Sequence, residues 1–390
     1  MFVNQLRKKN PALLNTAFEL HQTGRVSPDS YIIDVDTFLE NARNIAKTGK
    51  AYGIRLFFML KQVGRNPYLA KRLVEMGYEG AVTVDYKEAE VMMRHGIPIK
   101  NAGHLVQIPG HKVKCFVAYG VEYMTVYTRE KIEEIQKAAA ELGKIQKILL
   151  RVAAGGDMMY SGQTAGFSLE EMKETALWVE KDCKNVKVAG VTSFPCYLYD
   201  SEEKKIRPIH NLKTVLEAAS IMEKAGMPCE LLNTPSASCC STLKKMAVYG
   251  GNSAEPGHGL TGTTPLHAEC DEPEIPCCVY VTEVSHNFEN RGYCYGGGYY
   301  RRSHVENALV GTGMEKMEQV SVIPPDSDSI DYHFGLSQMC QVGDTVLMAF
   351  RFQIFVTRSD VVLVEGLHRG EKKIIGVYDS QGRQKWTKDS

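Results

Sequence analysis

The chain has no apolar run long enough to span a bilayer, and its opening residues, Met-Phe-Val-Asn-Gln-Leu-Arg-Lys-Lys-Asn, lack the apolar core of a signal peptide. It has no excess charge of either sign. Its 46 basic and 46 acidic side chains cancel to a formal net charge of zero, which gives no footing for nucleic acid or another polyanion. The 11 cysteines are scattered, and their pairs, Cys239-Cys240 and Cys277-Cys278, are adjacent rather than spaced as Cys-x-x-Cys, so neither a zinc site nor a secreted disulfide framework is indicated. No Gly-x-Gly-x-x-Gly opens the first helix, which removes the main signature of a dinucleotide-binding open sheet. These absences leave the expectation of a reduced, cytoplasmic protein whose ligand is a small molecule, with no nucleic acid and no membrane among its partners.

At 390 residues the chain is long for one ordinary core and suits a barrel with an addition. From Tyr31 to about Leu266 a short apolar strand followed by a capped helix recurs. Asn66-Pro67 opens a helix with Leu69, Leu73 and Met76 on one face and Gly77 as its stop, and residues 80–84 read as the next strand. Asp85 with Glu88 predicts a capping box, Thr128 a helix cap, and Ser168 with Glu171 a second box. Counting strands near 55–60, 80–84, 102–107, 122–127, 148–152, 186–194, 229–232 and 253 gives eight β/α units, the number of a (β/α)8 barrel. Beyond Leu266 the text turns β-rich, at 275–284, 344–357 and 374–378, between Gly, Asn, Asp and Pro clusters. The expected organisation is therefore an N-terminal helical segment (1–30), an α/β barrel (31–266) and a mostly antiparallel C-terminal β-domain (267–390). Ala12, Leu13, Leu14, Ala17 and Phe18 form one helical stripe that should pack beside that domain or on a partner chain.

Lys61 ends the apolar run Arg-Leu-Phe-Phe-Met-Leu, at the C-terminal end of a strand and just ahead of a helix start, where barrels keep their chemistry. Desolvation there lowers a lysine's pKa until its neutral amine attacks an aldehyde, which makes Lys61 a candidate Schiff-base lysine; the plain alternative is a rim lysine reaching into water. The segment Ser253-Ala-Glu-Pro-Gly-His-Gly-Leu-Thr-Gly-Thr263 follows the eighth strand, and its glycines bring backbone amides close to a ligand. The preceding loop, Asn233-Thr-Pro-Ser-Ala-Ser238, adds hydroxyls on the same side. Glu255 is placed to keep a pyridine nitrogen protonated, or else to serve as a rim ion pair.

Together these elements resemble the fold-type III pyridoxal-phosphate family, which includes alanine racemase, the ornithine racemases and barrel-type amino-acid decarboxylases. The resemblance runs from the lysine after the first strand through Gly190-Val-Thr-Ser-Phe194, the serine-rich loop, Glu255-Pro-Gly257 and the tail. It implies pyridoxal 5'-phosphate as cofactor, Lys61 as its Schiff-base lysine, Ser236, Ser238 and the amides of Gly257 and His258 as the phosphate cradle, and Glu255 as the ring-nitrogen partner. Alanine racemase has an arginine before its Pro-Gly, whereas the decarboxylases have a glutamate. Two further departures from the alanine-racemase pattern are Phe194, where it has a histidine near the ring, and Arg151, a cofactor-side candidate where it has a lysine.

The tail stretch Cys294-Tyr-Gly-Gly-Gly-Tyr-Tyr-Arg-Arg302 is similar to the racemase stretch Gly-Tyr-Ala-Asp-Gly-Tyr-Pro-Arg and implies Tyr295 as the second catalytic base, with Tyr299 and Tyr300 as alternatives. Residues 329–334 and 341–344 resemble an ornithine-racemase stretch, which implies that Asp331 and His333 bind the substrate's distal group or sit at a subunit interface. His258, His304 and His333 are not spaced as ligands, and no metal is expected. The implied activity is amino-acid racemisation by a homodimer with shared sites. Decarboxylation and a non-catalytic pyridoxal-phosphate carrier are the alternatives.

Overall fold

The computed structural model describes residues 2–387. The chain divides into two compact units, one built from residues up to 44, 61–66 and 258 onward, the other from 45–60 and 67–257.

The second unit is the barrel. Strands Arg55–Phe58, Gly80–Val82, Ile99–Ala102, Tyr123–Val126, Gln146–Arg151, Val186–Thr192, Leu231–Asn233 and Ser253–Ala254 pair in parallel, in chain order, and close on themselves. Helices alternate with them where caps start them. Ser168 and Glu171 form the reciprocal box that opens Leu169–Asp182, and Thr128 caps Arg129–Glu141. Asp85 accepts from the Glu88 amide at 2.8 Å, but the Glu88 carboxylate turns back to the Val84 amide, so this cap is one-sided. Phe57, Met59, Val82, Tyr123, Leu149, Ala189 and Leu231 fill the barrel's interior. Gly190 lets two strands close up there: a Cβ on it would lie 1.8 Å from the Leu231 carbonyl oxygen. At the N-terminal end Arg55 binds Glu79, Glu122 and the Tyr123 hydroxyl. Burial works to raise the Glu122 carboxyl, but hydrogen bonds from Lys100 and Arg55 outweigh it and bring it down to about 2.

The first unit holds a ten-stranded sheet in the order Arg291–Tyr295, His333–Leu336, Glu318–Ile323, Asn307–Gly311, Thr345–Met348, Cys278–Phe288, Ser30–Asp34, Asp360–Glu365, Lys373–Tyr378 and Gln384–Thr387. Strand Cys278–Phe288 pairs with Thr345–Met348 along its first part and with Arg291–Tyr295 along its last. Helix Pro11–Gln22, capped by Asn10, packs Leu13, Leu14, Ala17 and Leu20 onto Val279, Val281, Leu309 and Leu347. The apolar stripe of the first thirty residues thus lies on the β-rich unit.

Three expectations shift. Ser30–Asp34 is not a barrel strand. It pairs in parallel with Asp360–Glu365 and antiparallel with Cys278–Phe288, and its unbroken burial makes it read like a strand of a parallel barrel. The barrel strands span 55–254, as the eight counted from the sequence do. The strand expected at 102–107 ends at Ala102, because Gly103 turns the chain at φ +85°. The strand expected over 344–357 stops at Met348. The chain then folds Phe350 and Phe352 around Tyr31, with ring centroids 6.2 and 5.3 Å away.

Candidate active site

Side chains alternate along a strand, so the apolar interior layer fixes what lies one step nearer the barrel's C-terminal end. Two residues on from Tyr123, Leu149 and Leu231 come Thr125, Arg151 and Asn233. All three are buried, and Glu255 follows the short strand Ser253–Ala254 at the same end. The layer is polar where the one beneath it is apolar, and this is the end at which barrel enzymes work.

Its hydrogen bonds form two connected groups. In the first, Asn233 donates from Nδ2 to Glu255 Oε1 at 2.8 Å and to Thr192 Oγ1 at 3.2 Å, and its Oδ1 accepts from Ser253 Oγ at 3.0 Å. The Glu255 amide donates to Ser238 Oγ at 3.2 Å. In the second, Arg151 donates to Tyr127 Oη at 3.1 Å and to the Gln163 carbonyl at 2.7 Å, with its guanidinium over the Tyr127 ring at 5.1 Å. Tyr127 Oη in turn donates to the His104 carbonyl at 2.5 Å. His104 joins the groups: its Nε2 lies 3.7 Å from Glu255 Oε2. Its ring meets Phe194 edge-on at 5.8 Å, and Tyr160 covers Phe194 at 5.9 Å.

The loop after strand Leu231–Asn233 is bent where side chains rarely bend: Ser236 has φ +123° and Ala237 +48°. It leads into helix Cys240–Val248, whose cap residue Cys239 makes no side-chain capping bond. The Ser236 hydroxyl is occupied locally, accepting from the Tyr197 amide at 3.0 Å and donating to the Tyr197 carbonyl.

Lys61 follows Leu60 directly, beyond strand Arg55–Phe58, and opens the short turn Lys61–Val63. Gly64 and Arg65 after it both have positive φ, and Arg65 lies over Phe355 at 5.2 Å and donates to Gln381 Oε1 at 2.7 Å. His258 follows Gly257. Its Nε2 lies 2.8 Å from the Phe352 carbonyl, and burial, then the nearby Arg351, hold its imidazole well below the usual range. In the β-rich unit Tyr295 is 42% exposed, its carbonyl accepts from Thr282 Oγ1 at 2.7 Å, and its ring is 5.9 Å from that of His333, its partner across the strand pair. Asp331 is engaged with the glycine turn: Oδ2 accepts from the Gly297 and Tyr299 amides at 3.2 and 3.1 Å, and Oδ1 from Arg358 at 2.9 Å.

Sequence reasoning named Ser236, Ser238, Glu255, Gly257 and Arg151, all of the barrel unit, and Lys61, His258, Tyr295, Asp331 and His333, all of the β-rich unit. It missed His104, Tyr127 and Thr192, and counted Asn233 only as part of a loop. Among the described residues no group of three or more His, Cys, Asp or Glu is placed to hold a metal ion, and no helix is long and apolar enough to cross a membrane.

An eight-stranded parallel barrel with a lysine after its first strand and a buried carboxylate after its last, joined to an antiparallel β-unit, is the arrangement of the fold-type III pyridoxal-phosphate enzymes. The family description "Alanine racemase, N-terminal domain" matches residues 33–265, and the chain belongs to that family. Residues 279–374 match "YhfX-like, C-terminal domain". The chain is 46% identical over 383 residues to "Uncharacterized protein YhfX" of Escherichia coli (strain K12), covering 98% of this chain and 99% of that one. Among solved structures it is similar to D-threonine aldolase from Filomicrobium marinum, with a TM-score of 0.67 and 16% identity, covering 91% and 95% of the two chains. It is also similar to alanine racemase of Clostridium difficile 630 (TM-score 0.64, 14% identity, 90% and 98% covered) and D-threo-3-hydroxyaspartate dehydratase from Delftia sp. HT23 (0.63, 13%, 89% and 96%). At these identities the likeness to solved structures is one of fold.

The family's cofactor is pyridoxal 5'-phosphate. The barrel's donor set fits it. A buried carboxylate with an oxygen directed by Asn233 suits a protonated ring nitrogen, and the positive-φ loop before helix Cys240–Val248 exposes backbone of the kind that cradles a phosphate.

Proposed function

We propose that this protein is a pyridoxal-phosphate enzyme that breaks and remakes a bond at the α-carbon of an amino acid, and that its reaction is racemisation. The observation that carries the cofactor reading is the buried Glu255, held at Oε1 by Asn233 at the end of the barrel where the family works, and racemisation is favoured by the likeness of residues 294–302 to the racemase tail. When bound, the cofactor supplies an electron sink for the charge left at Cα. Glu255, as the carboxylate, would accept the hydrogen bond of a protonated ring nitrogen. Ser238 and the Gly257 and His258 amides hold the phosphate, with Ser236 shaping the loop through Tyr197. Lys61 would hold the cofactor at its aldehyde carbon, and its Nζ is the base that would take the Cα proton. Tyr295 returns a proton to the opposite face, and Asp331 and His333 order the segment that carries it. Arg151 acts through the His104 backbone, to whose carbonyl it donates at 3.5 Å. In this reading the working form is a homodimer.

A second reading, decarboxylation, draws on the same residue: a glutamate rather than an arginine before Pro-Gly suits loss of carboxylate from Cα as well as loss of a proton.

The test treats the protein with pyridoxal phosphate and borohydride and reads the digest by mass spectrometry, with Lys61→Ala alongside. Cofactor mass fixed on the peptide containing Lys61, and absent from Lys61→Ala, is expected. No fixed cofactor sinks the reading. A panel of amino acids then separates the reactions: exchange of the Cα proton with inversion means racemisation, and CO2 release means decarboxylation.

A further inference from the structure

Glu255 is approached from two sides by residues of the barrel unit. Asn233 donates to Oε1, and His104 places Nε2 3.7 Å from Oε2. The His104 side chain is fully buried and that of Glu255 is 4% exposed, so little bulk water screens the pair. A carboxyl taken out of water drifts toward its neutral acid unless donors or a cation favour the charged form. A neutral acid beside the ring nitrogen would offer a proton where an acceptor is needed.

The position of the imidazole is fixed by its own backbone. The His104 carbonyl accepts from Tyr127 Oη at 2.5 Å and from Arg151 Nη1 at 3.5 Å. Gly103 before it has φ +85°, and a Cβ there would lie 2.6 Å from the Thr125 carbonyl oxygen, so the turn that delivers His104 requires glycine. Phe194 closes the ring's edge at 5.8 Å. A histidine serving only to fill space would not need a strand end, a glycine turn and an arginine-tyrosine brace to bring its nitrogen to a carboxylate.

We propose that His104 is a positioning residue for the cofactor's ring nitrogen: with Asn233 it keeps Glu255 ionised and turned so that the carboxylate accepts the ring N–H. The inference rests on the reading of Glu255 given above and extends it to a residue on the opposite side of the strand order. Arg151 and Tyr127 serve the same end through the His104 backbone.

Binding of pyridoxal phosphate to the apoprotein is compared with binding of its 1-deaza analogue, in which carbon replaces the ring nitrogen, by equilibrium titration. The wild type is expected to prefer pyridoxal phosphate by about tenfold or more, the range of a charge-assisted hydrogen bond. His104→Phe should lose most of that preference while its affinity for the analogue stays the same. A variant that weakens both ligands equally, or keeps the full preference, overturns the role of His104 and leaves Glu255 standing. A wild type that binds both alike removes Glu255 as ring partner and the proposal with it. If His104→Phe does not fold, wild-type apoprotein and Glu255→Gln are compared with 15N-labelled histidine. The His104 ring signals must move on loss of the carboxylate, and unchanged signals overturn the proposal.

Discussion

Replacing Asn233 with alanine removes a fully buried carboxamide with three partners: Glu255 at 2.8 Å, Thr192 at 3.2 Å and Ser253 at 3.0 Å. A buried hydrogen bond to a charged group contributes about 1.5–3 kcal/mol and a neutral one about 1, so with one of the first kind and two of the second the variant should lose roughly 3.5–5 kcal/mol. The assay is the urea transition of the apoprotein at pH 5 and pH 8. Asn233→Asp keeps the shape and sets a second carboxyl against the first, and like charges at that distance raise the pKa of the pair above its unfolded value. Such a group contributes stability that is present at low pH and lost as pH rises. Asn233→Asp should therefore lag the wild type more at pH 8 than at pH 5, and Asn233→Ala, which removes a donor that favours the charged carboxylate, should lag in the same sense by a smaller margin. A loss below about 0.5 kcal/mol for Asn233→Ala, or a pH-independent deficit for Asn233→Asp, would refute the claim that Asn233 holds an ionised Glu255.

Three further outcomes are expected. Gly190→Ala drives a Cβ into the Leu231 carbonyl at 1.8 Å and should abolish soluble barrel, whereas Gly24→Ala, with nothing within 4 Å but a φ of +69°, should cost about 1 kcal/mol; soluble yield and urea midpoints report both. Burial raises the Asp29 carboxyl to about 6, against hydrogen bonds from Ser359 and Tyr280, so the stability tied to its neutral form is full below about pH 4 and lost as pH rises through 6; thermal midpoints should fall between pH 5 and 7 in the wild type and less in Asp29→Asn. Tyr295→Phe should retain cofactor and Lys61-side proton exchange but lose inversion, and full inversion measured by chiral chromatography would remove Tyr295 as second base.

The barrel was legible because several of its units carry local punctuation: Asp85, Thr128 and Ser168 start helices, and Gly77, Gly96 and Gly143 end them. Glu255 was legible through its Pro-Gly neighbours. His104 was not. Lys100 and Asn101 interrupt the apolar run of strand Ile99–Ala102, so the strand is read three residues late and His104 falls inside it instead of just beyond its catalytic end. Asp360–Glu365 and Ser30–Asp34 pair across more than three hundred residues, and no local pattern distinguishes that pairing from a barrel strand.

That pairing also has a timetable. Strand Ser30–Asp34 leaves the ribosome before the barrel, and its antiparallel neighbour Cys278–Phe288 is made some 244 residues later, with Asp360–Glu365 later still. At about 5–20 residues per second the strand and the apolar face of helix Pro11–Gln22 wait roughly 12–50 s for their partners while the whole barrel is synthesised and folds between them. During that interval an open strand edge and a greasy helix are offered to every other nascent chain, so production in cells should respond to translation speed and to holdase chaperones more than the barrel's own stability would suggest.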